Sequence, residues 1–213
     1  MPDAADDLWI FAYGSLMWRP DFAFEERLRA RLFGFHRALC IYSHHYRGTP
    51  DQPGLVLGLD RGGSCVGLCF RIAASARAAT LEAVRRRELI TGVYAEIAAP
   101  VRLADGRRRS AVTYVASRSH PQYAGVLGLE ALTRLVAQGR GLSGANLDYV
   151  RNTHEHLIDL GIEDDRLAGV LRRLDGELPS SAEPLDRHGG GFSATEAESR
   201  HAAPEAPTLQ GRK

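Results

Sequence analysis

Short apolar runs, broken by glycine, proline and charge, dominate the first half of the chain. Residues 8–13, Leu-Trp-Ile-Phe-Ala-Tyr, are apolar throughout and stop at Gly14. A run this short and this aromatic predicts a buried strand. Residues 27–43 carry two strand-like stretches joined at Gly34, which predicts a bend or bulge. Residues 44–54 hold two glycines and two prolines and read as a loop. Residues 55–60 and 65–72 flank Asp60-Arg61-Gly62-Gly63, a pattern that predicts a hairpin.

A helical stretch follows. Ser75 is positioned to cap a helix from Ala76 to about Leu89, built of alanine, leucine, glutamate and arginine and ended by Gly92. Residues 93–103 and 110–117 return to strand character around the turn Ala104-Asp105-Gly106-Arg107, and residues 117–125 form another loop. Helices are predicted near 129–140, 145–160 and 163–174, with Ser143 and Asn146 as candidate caps for the second. Five to seven strands joined mostly by hairpins, one central helix and helices at the end make an α+β fold. With so many antiparallel strands, a small barrel or a strongly curled sheet is expected at its centre. The folded domain is expected to end near Leu174. Beyond Leu174 the chain holds four of the ten prolines, a Gly-Gly-Gly run and few large apolar groups. Burial there cannot offset the entropy of ordering, so residues 175–213 are expected to be a disordered tail.

Composition narrows the function classes. The formal net charge is +1 and 25% of the 213 residues are charged, which gives no electrostatic reason to expect nucleic acid or an anionic membrane as partner. Three cysteines without paired spacing argue against a disulfide framework and fit a reducing compartment. The N-terminus opens with acids and meets Gly14 too early for a signal peptide, and no apolar run has the length of a membrane span. A cytoplasmic location is expected.

Four places are candidates for chemistry. Tyr13, Gly14, Ser15 and Leu16 follow the opening strand, and backbone N–H groups after such a glycine can converge on a carboxylate or an oxyanion. The tetrapeptide also suits a turn that merely ends a strand. Glu88 lies in the last turn of the predicted helix, where the negative dipole end disfavours a carboxylate and raises its pKa. An exposed Glu88 paired with a neighbouring arginine is the alternative. Tyr123, in a loop bounded by Pro121 and Gly125, can present its hydroxyl to a cleft or pack on the surface. Arg47, in the loop Tyr46-Arg47-Gly48-Thr49-Pro50, offers a planar fork to a carboxylate, or to solvent. Other patterns carry little. Cys65 and Cys69 would stand roughly 13 Å apart on a strand, too far to share a metal. His154 and His156 lack the HExxH spacing, no phosphate-binding glycine loop occurs, and Ser15 lacks the GxSxG elbow of a serine hydrolase.

Read together and in order, these segments resemble a known family. FAYGSLMWRPDF, SHHYRGTPDQPGLVLGL, RRRELITGVY, YVASRSHPQYAG and LSGANLDYVRNTHEHL are similar to successive segments of the ChaC proteins, glutathione-specific γ-glutamylcyclotransferases. The resemblance covers residues 8–174 and implies a catalytic domain there: a small mixed β-barrel flanked by helices, the γ-glutamylcyclotransferase-like fold, that cleaves glutathione to 5-oxoproline and cysteinylglycine. It also implies Glu88 as catalytic acid/base and Tyr13, Gly14, Ser15, Leu16, Arg47 and Tyr123 as substrate-binding residues. Neither metal nor cofactor is implied. Related alternatives are a γ-glutamylamine or general γ-glutamyl-amino-acid cyclotransferase, or a non-catalytic γ-glutamyl-binding module on the same fold.

Overall fold

The structure, a computed structural model, describes residues 7–176. The expectation for the tail falls, beyond Gly176, outside the described residues. Strand β1 (Leu8–Ala12) is followed by a 3-10 turn (Ser15–Met17), β2 (Glu26–Ser43), β3 (Gly54–Ile72), helix α1 (Arg77–Glu88), β4 (Tyr94–Leu103) and β5 (Arg108–Ala116). Helix α2 (Leu129–Gln138), the short strands β6 (Arg140–Gly141) and β7 (Gly144–Ala145), α3 (Asn146–Asp159) and α4 (Asp165–Leu174) complete it.

The first five strands close a barrel in the order β1-β3-β2-β4-β5, sealed by a parallel contact of β1 with β5 at Ile10↔Val112. All five β1 residues are buried, as an uninterrupted apolar run requires when both faces are covered. The early half of β2 alternates instead: Ala30 and Leu32 point inward, while Arg29, Arg31 and Phe33 face solvent. Helices α2, α3 and α4 close one side with Leu132 and Val136, Val150 and Leu157, and Leu167, Val170 and Leu171, spaced along helical faces.

The predicted hairpin at residues 60–63 does not form. β3 runs through that segment as one strand of 19 residues, antiparallel to β2 along its length. Gly62, Gly63 and, on the facing strand, Gly34 all have positive φ. Between Phe33↔Ser64 and Phe35↔Arg61 the register slips, with the extra residue on β3. The glycines therefore bend a long two-stranded ribbon into the barrel wall rather than reversing it. The bend expected at Gly34 is part of the same feature.

Two predicted caps also differ. Ser75 lies within a 3-10 turn (Ala74–Ala76), and the residue before α1 is Ala76, with no side-chain cap. Ala145 precedes α3, so neither Ser143 nor Asn146 caps it. Asn146 has other work, described below. No described helix is long and apolar enough to cross a membrane.

Candidate active site

The site arises where two strands part. β1 pairs with β3 from Leu8↔Ile72 to Ala12↔Leu68 and then ends. Gly67 sets the limit: a Cβ there would collide with the Ala12 carbonyl. The chain leaves through Tyr13 and Gly14 into the 3-10 turn. Among the described residues, the first half of β3 is thus left with β2 on one edge and no strand on the other.

Side chains take the place of the missing strand, as buried backbone groups require. Asn146 accepts from Leu55 N–H at 2.6 Å and donates to the Leu55 carbonyl at 2.7 Å. Two residues along, the Tyr149 hydroxyl oxygen accepts from Leu57 N–H at 3.1 Å, and the Tyr94 hydroxyl donates to the Leu57 carbonyl at 2.6 Å.

Between this edge and the departing β1 lies a cavity of about 200 Å³. Tyr13, Gly14, Ser15 and Leu16 form one wall, Val56 and Leu57 the other, and Glu88, Tyr94, Tyr114 and Tyr149 line the rest. Five residues singled out in the sequence therefore meet: Tyr13, Gly14, Ser15, Leu16 and Glu88. Among the described residues, the N–H groups of Gly14, Ser15 and Leu16 meet no acceptor. Unpaired donors beside a cavity suit an anionic ligand atom.

Glu88 is the last residue of α1, with its side chain 17% exposed. Burial raises its pKa above the usual glutamate value, and Arg87, with Nε 3.4 Å from Oε1, offsets this in part. The helix C-terminus acts in the same direction as burial. Glu96, which receives the Tyr114 hydroxyl at 3.0 Å, behaves oppositely. Arg85 grips both its oxygens at 2.7 and 2.6 Å and holds its pKa below the usual value. The pKa values of the two carboxyl groups are thus driven in opposite directions, up for Glu88 and down for Glu96. Burial also pushes Tyr13, Tyr94 and Tyr149 above the ordinary tyrosine range, so all three remain neutral hydroxyls.

The family model for ChaC-like proteins matches residues 8–175. The chain belongs to the ChaC-like family. A glutathione-specific γ-glutamylcyclotransferase of Escherichia coli is 36% identical over 164 residues, covering 77% of this chain and 71% of that protein. The human glutathione-specific γ-glutamylcyclotransferase 1 is 30% identical, covering 81% of this chain and 80% of its own length. A solved yeast γ-glutamylcyclotransferase specific to glutathione superposes with a TM-score of 0.71 at 18% identity, over 80% of this chain and 96% of that one. The barrel is therefore a γ-glutamylcyclotransferase-like fold, as the family resemblance implied.

Two expected substrate-binding residues of this ChaC-like chain lie outside the cavity. Arg47 donates to the carbonyls of Ser143 and Ala145, fastening its loop to the β6–β7 ladder. It approaches the site only through the Tyr149 ring, whose centroid is 5.5 Å from Cζ. Tyr123 pairs with Ile41 as an isolated bridge and donates to Asp60 Oδ2 at 2.8 Å. Asp60 is 2% exposed and also receives Arg118 Nε at 2.7 Å, so Tyr123 belongs to a cluster around a buried carboxylate that pins the loop to β3. Conversely, Tyr94, Tyr149 and Asn146 sit in segments that carry the family resemblance, yet nothing local distinguishes them. Their role comes from an unpaired edge on a distant strand.

Proposed function

We propose that this chain cleaves the γ-glutamyl bond of glutathione, releasing 5-oxoproline and cysteinylglycine, with Glu88 as proton shuttle. The observation that carries this reading is a desolvated carboxyl, its pKa raised, sharing one cavity with the Gly14–Leu16 turn, whose three N–H groups meet no acceptor among the described residues. Membership of the ChaC-like family and the names of its curated relatives support the substrate.

The chemistry asks little beyond positioning. The α-amine of the γ-glutamyl group attacks its own γ-carbonyl carbon, a five-membered lactam closes, and the C–N bond to cysteinylglycine breaks. Nucleophile and electrophile share one molecule, so a pocket that folds the substrate gains effective molarities of about 10⁵–10⁸ M. Glu88 takes the proton that the amine must lose and returns one to the departing nitrogen. The N–H groups of Gly14, Ser15 and Leu16 serve the α-carboxylate or the developing oxyanion. Tyr149 accepts from Leu57, which leaves its own proton for the substrate; Tyr94 gives its proton to Leu57, which leaves its oxygen to accept. The three free cysteines, all buried, are consistent with a reducing cytoplasm, and that location forms part of the proposal.

Purified protein incubated with glutathione is expected to yield 5-oxoproline and cysteinylglycine by mass spectrometry, with slower turnover of γ-glutamyl-alanine and γ-glutamyl-lysine. Absence of 5-oxoproline from all three would sink the assignment.

The raised pKa gives a pH dependence. Turnover is expected to rise as Glu88 loses its proton, along an acid limb centred above the usual glutamate value. Arg87→Met removes the cation that offsets burial, so the limb is expected to move to higher pH. A rate profile from pH 4 to 9 checks this; coincident limbs for the two proteins would contradict it.

A further inference from the structure

Arg37 lies on β2, outside every motif singled out in the sequence, and is 8% exposed. Each of its three guanidinium nitrogens makes a hydrogen bond. Nε donates to the Tyr13 carbonyl at 2.7 Å, Nη2 to the Val66 carbonyl at 2.7 Å, and Nη1 to Asp164 Oδ2 at 3.3 Å. Asp164 is itself tied down, since its other oxygen accepts from Leu167 N–H at 3.1 Å and caps α4. A charged fork is therefore lodged in the gap where β1 leaves β3, braced by a helix cap.

The consequence lies one bond away. Tyr13 and Gly14 share a peptide, and the described chain has no cis peptide. In a trans peptide the C=O and N–H point in opposite directions. Holding the Tyr13 carbonyl towards Arg37 turns Gly14 N–H to the opposite side. Tyr13 and Gly14 line the Glu88 cavity, whereas Arg37 lines cavities that exclude Glu88. Gly14 N–H meets no acceptor among the described residues. A cation on the carbonyl also polarises the peptide and strengthens its N–H as a donor.

We propose that Arg37 is a positioning residue for catalysis: through the Tyr13 carbonyl it aims the Gly14 N–H at a substrate oxygen in the Glu88 cavity. This rests on the γ-glutamyl reading above. Without Arg37 the peptide is free to rotate, and a misplacement of about 1 Å in such a group costs on the order of 100-fold in rate.

The test compares Arg37→Lys, Arg37→Met and the double variant Arg37→Met/Asp164→Asn, in which asparagine keeps the α4 cap and no buried charge is left unpaired. Each is assayed for 5-oxoproline release well below its own Tm. For folded Arg37→Met and the double variant, a fall in kcat/KM of about 100-fold is expected, with partial recovery in Arg37→Lys, which keeps the charge. Loss in kcat assigns the N–H to the oxyanion, and loss in KM assigns it to the carboxylate; either supports the proposal. Folded variants within twofold of the parent in both constants would overturn it and mark Arg37 as structural. A second measurement needs no variant: hydrogen exchange at the Gly14 amide of the parent protein, with and without saturating 5-oxoproline. Protection by the product is expected, and its absence overturns the proposal. If the parent protein itself releases no 5-oxoproline, the functional reading fails instead, so the two failures are distinguishable.

Discussion

Glu88→Gln is expected to lower kcat for 5-oxoproline release by roughly 10²–10⁴-fold, the usual contribution of a positioned proton-transfer group. The substitution keeps the shape of the side chain and removes its basicity. It is also expected to fold at least as well as the parent. Burial raises the Glu88 pKa in the folded state above its unfolded value, so the fold favours the protonated acid. Stability from this group is present below the unfolded pKa and is lost as pH rises through the folded one. Above the folded-state pKa the parent therefore carries a desolvated carboxylate that glutamine does not. A thermal melt at pH 7 should place the variant's Tm at or above the parent's, and the difference should vanish at acid pH. Near-parental turnover by this folded variant would remove Glu88 from the mechanism. A loss of activity together with a large fall in Tm would mean that the side chain holds the barrel together instead.

The second large effect concerns Asn146, which is completely buried. Its amide replaces a strand for both polar groups of Leu55, at 2.6 and 2.7 Å. Leucine at this position is of similar size but satisfies neither. Leaving a buried donor or acceptor unpaired costs about 1–3 kcal/mol, so Asn146→Leu is expected to destabilise the domain by about 2–6 kcal/mol. For a domain of this size each kcal/mol shifts Tm by about 2–4 °C, so a fall of roughly 5–20 °C is expected in a calorimetric scan. Asn146→Asp keeps the acceptor for Leu55 N–H and sets a charge against the Leu55 carbonyl, so it should be no better tolerated. Because Tyr149 is carried by the same helix, one turn on, the folded remainder of the Leu variant should also show a raised KM. An unchanged Tm would show that Leu55 finds its partners elsewhere.

Much of the scaffold is written in local signals. The apolar run before Gly14, the alternation along early β2, the strands around Asp105-Gly106 and the helical spacing after Leu129 each report their own conformation, because side-chain period and glycine freedom act over a few residues. Tyr13 to Leu16 and the misplaced acid Glu88 stood out locally as candidates beside a plain turn and an exposed ion pair, and it was the family resemblance that favoured a site. Local signals misled where one residue serves two geometries. Asp60-Arg61-Gly62-Gly63 reads as a hairpin turn, yet the same positive-φ glycines bend a continuous ribbon when the facing strand has its own glycine at position 34. Asn146 reads as a helix cap, yet its amide was needed by an edge 91 residues away.

The sequence by itself determined most of the elements, the α+β class and the candidate acid and glycine turn on which the chemistry is proposed to rest. Only the tertiary structure decided which strand edge is left unpaired, which tyrosines cover it, why Arg47 and Tyr123 turn elsewhere, and that Glu88 is desolvated while Glu96 is held ionised. The division has a physical cause. Backbone conformation answers to near neighbours along the chain, but burial, electrostatic environment and the partner of a lone donor are set by groups that meet only when the barrel closes.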